Sequence, residues 1–159
     1  MGRKFKLAEK LAQFYPNFED RKNVKILDIA AGTGLAGIGL LKQGFKNFDA
    51  IGKKIKKVLP GEFFLQNSFL DGSQAMLDQL NAKKIYQKSF CNVLGDKNAK
   101  LHEDILDESY DIIIIMGGFA QSHLPVNTLY QAARALKSGK YLIFSFCGKN
   151  FVKWCLINF

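Results

Sequence analysis

The sequence predicts an α/β protein, a Rossmann-like parallel sheet flanked by helices within a single domain, 1–159. Three observations predict it. Short β-branched runs alternate with stretches of helical periodicity, the pattern of strand–helix–strand units in a parallel sheet. The run Asp111 to Met116 carries four consecutive isoleucines, as a strand buried on both faces requires. Val24 to Ile29 passes directly into a small-residue turn, Ala30-Ala31-Gly32-Thr33-Gly34, and then into an apolar helix. Parallel sheets hold ligands at such strand ends.

Each element has its own signal. Leu7, Ala8, Leu11, Ala12, Phe14 and Tyr15 recur at helical spacing, so a first helix is expected from Lys4 to Tyr15, closed by Pro16. Val24 to Ile29 is the first strand. Leu35 to Gln43 is a helix ended by Gly44. A second strand begins at Phe48-Asp49-Ala50 and leads to Asp71. Ser73 to Asn81 is a helix with Ser73 as N-cap. Ile85 to Phe90 and Asp111 to Met116 are the third and fourth strands. Pro125 to Lys137 is a helix with proline in its first turn. Lys140 to Cys147 is the fifth strand, introduced by Ser138-Gly139.

Composition narrows the function classes. A hydrophobic content of 48% supplies a core, and a charged content of 23% is ordinary for a soluble domain. No apolar run approaches the roughly 20 residues of a membrane span. The basic start, Met1 to Lys6, is not followed by the apolar segment of a signal peptide. Three cysteines (Cys91, Cys147, Cys155) and two histidines form no metal-binding spacing, so neither a metal site nor a disulfide framework is expected and the cytoplasm is the expected compartment. The net charge of +9 invites a nucleic-acid reading. It is not favoured: Lys53, Lys54, Lys56 and Lys57, less Glu62, concentrate +3 in one short segment, and no aromatic–basic interleaving accompanies the rest.

The glycine turn allows two readings. Gly32, Gly34 and Gly37 fit the dinucleotide fingerprint G-x-G-x-x-G. In that site the helix N-terminus receives a diphosphate, which the carboxylate of Asp28 would repel. A cofactor bearing an ammonium and a sulfonium would be attracted instead, and that describes S-adenosylmethionine. In a left-handed backbone Ala30 would cost roughly 1–2 kcal/mol, and in an extended one nothing. In Leu70-Asp71-Gly72-Ser73-Gln74-Ala75-Met76, an acid at a second strand end can accept hydrogen bonds from a ribose diol. Gly72 admits close backbone approach, and Met76 could cover an adenine ring. Taken alone, Met76 reads as core and Asp71 as a helix N-terminal acid.

The spacing Asp28-x-Ala30-x-Gly32-x-Gly34 resembles motif I of the class I S-adenosylmethionine-dependent methyltransferases. With LDIAAGTGLAG, DGSQAMLDQLNAKKIYQ and SYDIIIIMGGF, the chain resembles the methyltransferase-like proteins of the Williams–Beuren region type, over roughly Phe5 to Gly148. The resemblance implies a class I methyltransferase fold binding S-adenosyl-L-methionine, with Asp28, Ala30, Ala31, Gly32, Thr33, Gly34, Asp71, Gly72, Ser73, Met76 and Gly117 around the cofactor and a methyl acceptor it does not identify.

The chain departs from that pattern. Gly34 to Asp71 spans 37 positions of sequence, where about 20 would serve. Ile51 to Phe69 therefore reads as an insertion with the form of a translated intron: Gly-Lys-Lys can hide a donor-like GTAAG, and Phe-Phe-Leu-Gln a pyrimidine tract ending in CAG. Transcripts uninterrupted across this segment would rule the intron out. After the fifth strand the family expects a further helix and two strands, so the sheet reads as truncated there, with the apolar tail Phe151 to Phe159 covering its edge.

Methyl transfer needs orientation more than acid–base chemistry. A base helps only where the acceptor must lose a proton, and His123 is the weak candidate. His102, beside Glu103 and Asp104, reads as surface; Cys91 and Asp96 could touch an adenine edge. The expected function is methyl transfer to an unidentified acceptor. The alternatives are a degraded, non-enzymatic cofactor-binding domain and a basic nucleic-acid-binding module.

Overall fold

The computed structural model describes residues 3–53, 72–119, 124–147 and 152–158. Their order is α1 (Arg3–Phe14), α2 (Phe18–Arg21), β1 (Lys25–Ile29), α3 (Leu35–Lys42), β2 (Asn47–Lys53), α4 (Gly72–Ala82), β3 (Ser89–Asn92), β4 (Tyr110–Ile115), α5 (Thr128–Ala135), β5 (Leu136–Cys147) and β6 (Val152–Asn158). They form a six-stranded sheet in the order β3-β2-β1-β4-β5-β6. Every pairing is parallel except β5 with β6. The strand order reverses between β1 and β4, which is where open α/β sheets form their ligand crevice.

The sheet is buried on both faces, so its central strands are mostly apolar, with Asp28 of β1 and Asp49 of β2 as buried exceptions. Successive side chains alternate between two layers. Ile26, Phe48, Ile112, Ile114 and Ile143 meet Leu7 and Leu11 of α1 and Ala36 and Leu40 of α3. Leu27, Ile29, Ile51, Ile113, Ile115 and Leu142 meet Ala132 and Ala135 of α5. Leu94, Leu101 and Ile105, from the long β3–β4 connection, complete the second layer.

Three polar devices tie neighbouring elements together. Arg21 donates to the carbonyls of Tyr15 (2.7 Å), Gln43 (2.9 Å), Ala12 (3.1 Å) and Pro16 (3.4 Å), serving helix-end carbonyls of α1 and α3 that have no intrahelical donor. Asp49, 4% exposed, accepts from the Tyr110 hydroxyl at 2.8 Å and the Lys88 N–H at 3.0 Å. Asp111 accepts from the Lys25 N–H and from Lys137, both at 3.0 Å, with Lys140 at 3.7 Å.

The structure changes several sequence expectations. The third strand starts at Ser89 rather than Ile85, because Lys84 takes a left-handed turn (φ +51°) and Tyr86 is drawn beneath α3. Ser73 lies inside α4, which begins at Gly72, and so is not its N-cap. Helix α5 starts at Thr128, after a turn in which the Thr128 N–H bonds the Pro125 carbonyl at 3.0 Å. The sheet does not end at the fifth strand: β6 folds back antiparallel on β5, with Tyr141 opposite Asn158 and Cys147 opposite Val152. The tail thus covers that edge by hydrogen bonding as a strand. Ile51, Gly52 and Lys53, where the expected insertion begins, are strand residues paired with Phe90, Cys91 and Asn92. Residues 54–69 lie outside the described residues.

Candidate functional site

At the strand reversal between β1 and β4 lies the turn that follows β1. Ala30 adopts a left-handed backbone, φ +59°, and donates its N–H to the Ile51 carbonyl at 2.9 Å. That settles the alternative left open by its sequence: the alanine stands where glycine would be unstrained. Gly32 and Gly34 follow at φ +60° and +78°, and Gly34 is the N-cap of α3, without a side-chain capping bond.

The three glycines of the fingerprint serve different ends. A Cβ at Gly32 would meet nothing within 4 Å, so this part of the turn borders open space. A Cβ at Gly34 would lie 3.0 Å from Tyr86 Cε2, and one at Gly37 would lie 2.7 Å from Tyr86 Cζ and its hydroxyl. Gly34 and Gly37 are therefore seats for a tyrosine ring. The Tyr86 hydroxyl accepts from the Gly37 N–H at 3.1 Å and donates to Asp28 Oδ2 at 2.8 Å. Burial, then the Asp28 charge and its hydrogen bond, push the phenol far above its usual range, against a smaller opposite effect of the Gly37 N–H. Tyr86 is thus a neutral donor across the physiological range.

Asp28 is 1% exposed, and its carboxylate is held by the Tyr86 hydroxyl. The first-turn amide of α3 at Gly37 is engaged by Tyr86, and an anion approaching the helix would meet the buried carboxylate as well. Both features disfavour the diphosphate that a dinucleotide would bring. Lys83 adds a third tie, donating to the Thr33 carbonyl at 2.5 Å and to the Gln79 carbonyl at 3.3 Å.

The other wall starts with α4. Leu80 packs in a cluster with Ala31 and Ala50, and Leu77 packs over Gly52. The residue nearer the helix start thus covers the residue nearer the end of β2, so α4 runs antiparallel to that strand. Gly72, five positions before Leu77, extends roughly 7.5 Å further toward the crevice end at 1.5 Å per residue. Met76 is 42% exposed, not core as its sequence alone would suggest. Asp71 and His123 lie outside the described residues. The side chain of Ser73 also lies outside the description.

Across the strand reversal, Gly117 has φ +77° with open space at its Cβ position, and its N–H donates to Ser145 Oγ at 3.0 Å. Phe119 packs edge-on against Phe144, ring centroids 5.6 Å apart. Cys91 sits in β3 opposite Gly52. Asp96 accepts from the Asn98 N–H at 3.0 Å, a local turn contact. His102 lies 5.0 Å from the Phe90 ring. Both line an open cleft of about 820 Å³ along the outer side of β3, two strands from the turn.

Sequence reading missed Tyr86 and Lys83 as parts of the turn, and Ser145 as the partner of Gly117. For Tyr86 the available signal was chemical: a buried acid and a buried phenol each require a partner. For Ser145 it was a lone hydroxyl between Phe144 and Phe146. Among the described residues no group of three or more His, Cys, Asp or Glu could hold a metal, and no helix is long and apolar enough to cross a membrane.

Comparison with known proteins identifies the architecture. No family model matches the chain. Human methyltransferase-like protein 27 is 29% identical over 104 residues, covering 65% of this chain and 33% of that protein. The chain therefore spans well under half of the curated relative that it matches. The methyltransferase CalH, in complex with S-adenosylhomocysteine, aligns with TM-score 0.55 at 14% identity, over 84% of this chain and 35% of that one. The [4+2]-cyclase SpnF aligns with TM-score 0.53 at 14% identity, over 89% of this chain and 44% of that one. The fold is that of the class I S-adenosylmethionine-dependent methyltransferases.

Proposed function

We propose that this chain, a methyltransferase-like protein of the class I fold, binds S-adenosyl-L-methionine in the turn after β1 and transfers its methyl group to an acceptor admitted from the β4 side. The observation that carries the reading is the division of labour among the glycines. Gly32 leaves the turn open to a ligand, while Tyr86 and Asp28 make the helix start unsuited to a diphosphate. The orientation of α4 supports Asp71, Gly72 and Ser73 as the ribose side, since it directs the helix start past the end of β2. The exposure of Met76 supports its role beside the adenine.

The bound cofactor supplies a methyl group already activated on a sulfonium. The residues of this chain then have to hold and orient. Ala30, Ala31, Gly32, Thr33 and Gly34 offer backbone groups to the amino-acid end of the ligand. Gly117 and Phe119 border the acceptor end, with Gly117 fixed by Ser145. His123 is the candidate base for an acceptor that must lose a proton.

SpnF shares the fold and is a cyclase, so binding and methyl transfer are tested separately. Calorimetric titration with S-adenosylhomocysteine should give a saturable, one-site isotherm that Asp71→Ala weakens. Absence of heat at millimolar ligand overturns the binding assignment; unchanged affinity in Asp71→Ala overturns the ribose assignment. Methyl transfer requires, in addition, incorporation of radiolabelled methyl into an acceptor by the intact chain.

A further inference from the structure

We propose that the segment Lys83 to Tyr86 is a strap that sets the geometry of the cofactor turn, with Tyr86 as a positioning residue acting through Asp28 and Gly37. The inference rests on the proposed cofactor site and deepens it.

The strap meets the turn at three points. Lys83 Nζ holds the Thr33 carbonyl. The Tyr86 hydroxyl holds the Asp28 carboxylate, at the end of β1, and the Gly37 N–H, in the first turn of α3. The ring itself lies on Gly34 and Gly37, where a Cβ would collide with it, and stacks edge-on against Phe48 of β2 at 5.1 Å. Strand end, turn and helix start are thus fixed relative to one another by one hydroxyl and one ammonium. Of the three left-handed residues of the turn, Ala30, Gly32 and Gly34, Ala30 is tied to the Ile51 carbonyl and Gly34 to Ala31 and Ile38 by backbone bonds. The strap adds supports at the two ends of the turn.

The strap also continues from α4. Lys83 and Tyr86 follow directly on the helix whose first residue, Gly72, belongs to the proposed ribose side. One continuous segment, 72–86, therefore connects the ribose side of the site to the turn. A ligand bridging the two would find both in register.

The test uses the intact chain with four variants (Tyr86→Phe, Lys83→Met, Asp28→Asn and the Asp28→Asn, Tyr86→Phe double) and S-adenosylhomocysteine as the probe. Tyr86→Phe keeps the ring and removes the hydroxyl. It should weaken binding by about tenfold or more, the scale of one hydrogen bond to a charged group, at a temperature where it is fully folded. Lys83→Met, which leaves the core untouched, should weaken binding by a smaller factor. Asp28→Asn combined with Tyr86→Phe should cost less than the product of the single effects, because the two act as a unit. Hydrogen exchange without ligand should show the Gly37 amide losing protection in Tyr86→Phe. If the wild type binds and the folded variants bind equally well, the strap is structural only and the proposal fails while the cofactor site stands. If the wild type does not bind, the cofactor site and the proposal fall together. Multiplicative single and double effects would remove the route through Asp28.

Discussion

Replacing Ala30 by glycine should stabilise the protein slightly, although most alanine-to-glycine changes do the opposite. Ala30 is held at φ +59°, where an L-residue with a Cβ is strained by about 1–2 kcal/mol. Glycine removes that strain. Against it stand the greater freedom of glycine in the unfolded chain, about 0.4–1 kcal/mol, and the loss of a half-buried methyl, roughly half of the ~0.8 kcal/mol for a buried CH₂. The net is a gain of about 0.4 kcal/mol. Ala31 is the internal control. It is 1% exposed and not among the left-handed residues, so Ala31→Gly loses a fully buried methyl and gains only unfolded-state freedom, a cost of about 1.2–1.8 kcal/mol. The two neighbouring substitutions should therefore differ by about 2 kcal/mol, which is roughly 4–8 °C in midpoint for a chain of this size. Thermal unfolding monitored by circular dichroism, with urea titration as a check, measures the gap. Equal destabilisation by the two variants would refute the left-handed geometry of the turn.

Three further outcomes follow from named contacts. Arg21→Lys should cost about 2–3 kcal/mol in urea unfolding, because one ammonium cannot replace a planar fork spread over four carbonyls of two helix ends; a cost near zero would show those carbonyls equally well served by water. Gly37→Ala should cost about 1–3 kcal/mol, since the new methyl would sit 2.7 Å from the Tyr86 ring and hydroxyl, and should expose the Gly37 amide to exchange. The pH dependence has two limbs. Burial alone would raise the Asp111 carboxyl, but the Lys25 N–H, Lys137 and Lys140 outweigh it and hold the group below its usual range. Its stabilising contribution is therefore complete above the unfolded value of about 3.9 and lost as pH falls through the lower folded value, and Asp111→Asn should flatten the acid limb. Tyr86 and Tyr110 are both raised, chiefly by burial and then by their Asp28 and Asp49 partners. Their contribution is complete below about 10 and lost above it, so phenolate absorbance from these two should appear only with alkaline unfolding.

The parts of the fold written in local pattern were legible. β1 and β4 were found because a strand buried on both faces carries a nearly continuous apolar run, and α3 because a glycine (Gly44, φ +87°) ends it. The start of β3 was misplaced because Ile85 and Tyr86 look like strand residues; they are apolar for a different reason, packing beneath α3 after the left-handed Lys84. The sixth strand was hidden because a tail becomes a strand only by pairing, and its partner residues on β5 are set by tertiary contact. The turn from Asp28 to Gly34 was legible as a unit because its acid, small residues and glycines are contiguous. Tyr86 was not, since 58 positions separate it from Asp28 and no local rule couples them.

That separation explains why the glycine spacing alone was ambiguous. The same letters, G-x-G-x-x-G, describe a diphosphate cradle and this turn. In the diphosphate version the third glycine lets helix and strand pack closely while the first-turn amides face the ligand. Here the third glycine, Gly37, admits a tyrosine instead, and the hydroxyl of that tyrosine takes the amide. The tyrosine is held there by Asp28. The acid at the end of β1 and the glycine nine positions later are thus two ends of one hydrogen-bonded chain. Asp28 acts against a phosphate in two ways, by its own charge and by anchoring the group that occupies the helix start. What distinguishes the two sites is the residue lying on the third glycine, and it comes from a distant part of the chain.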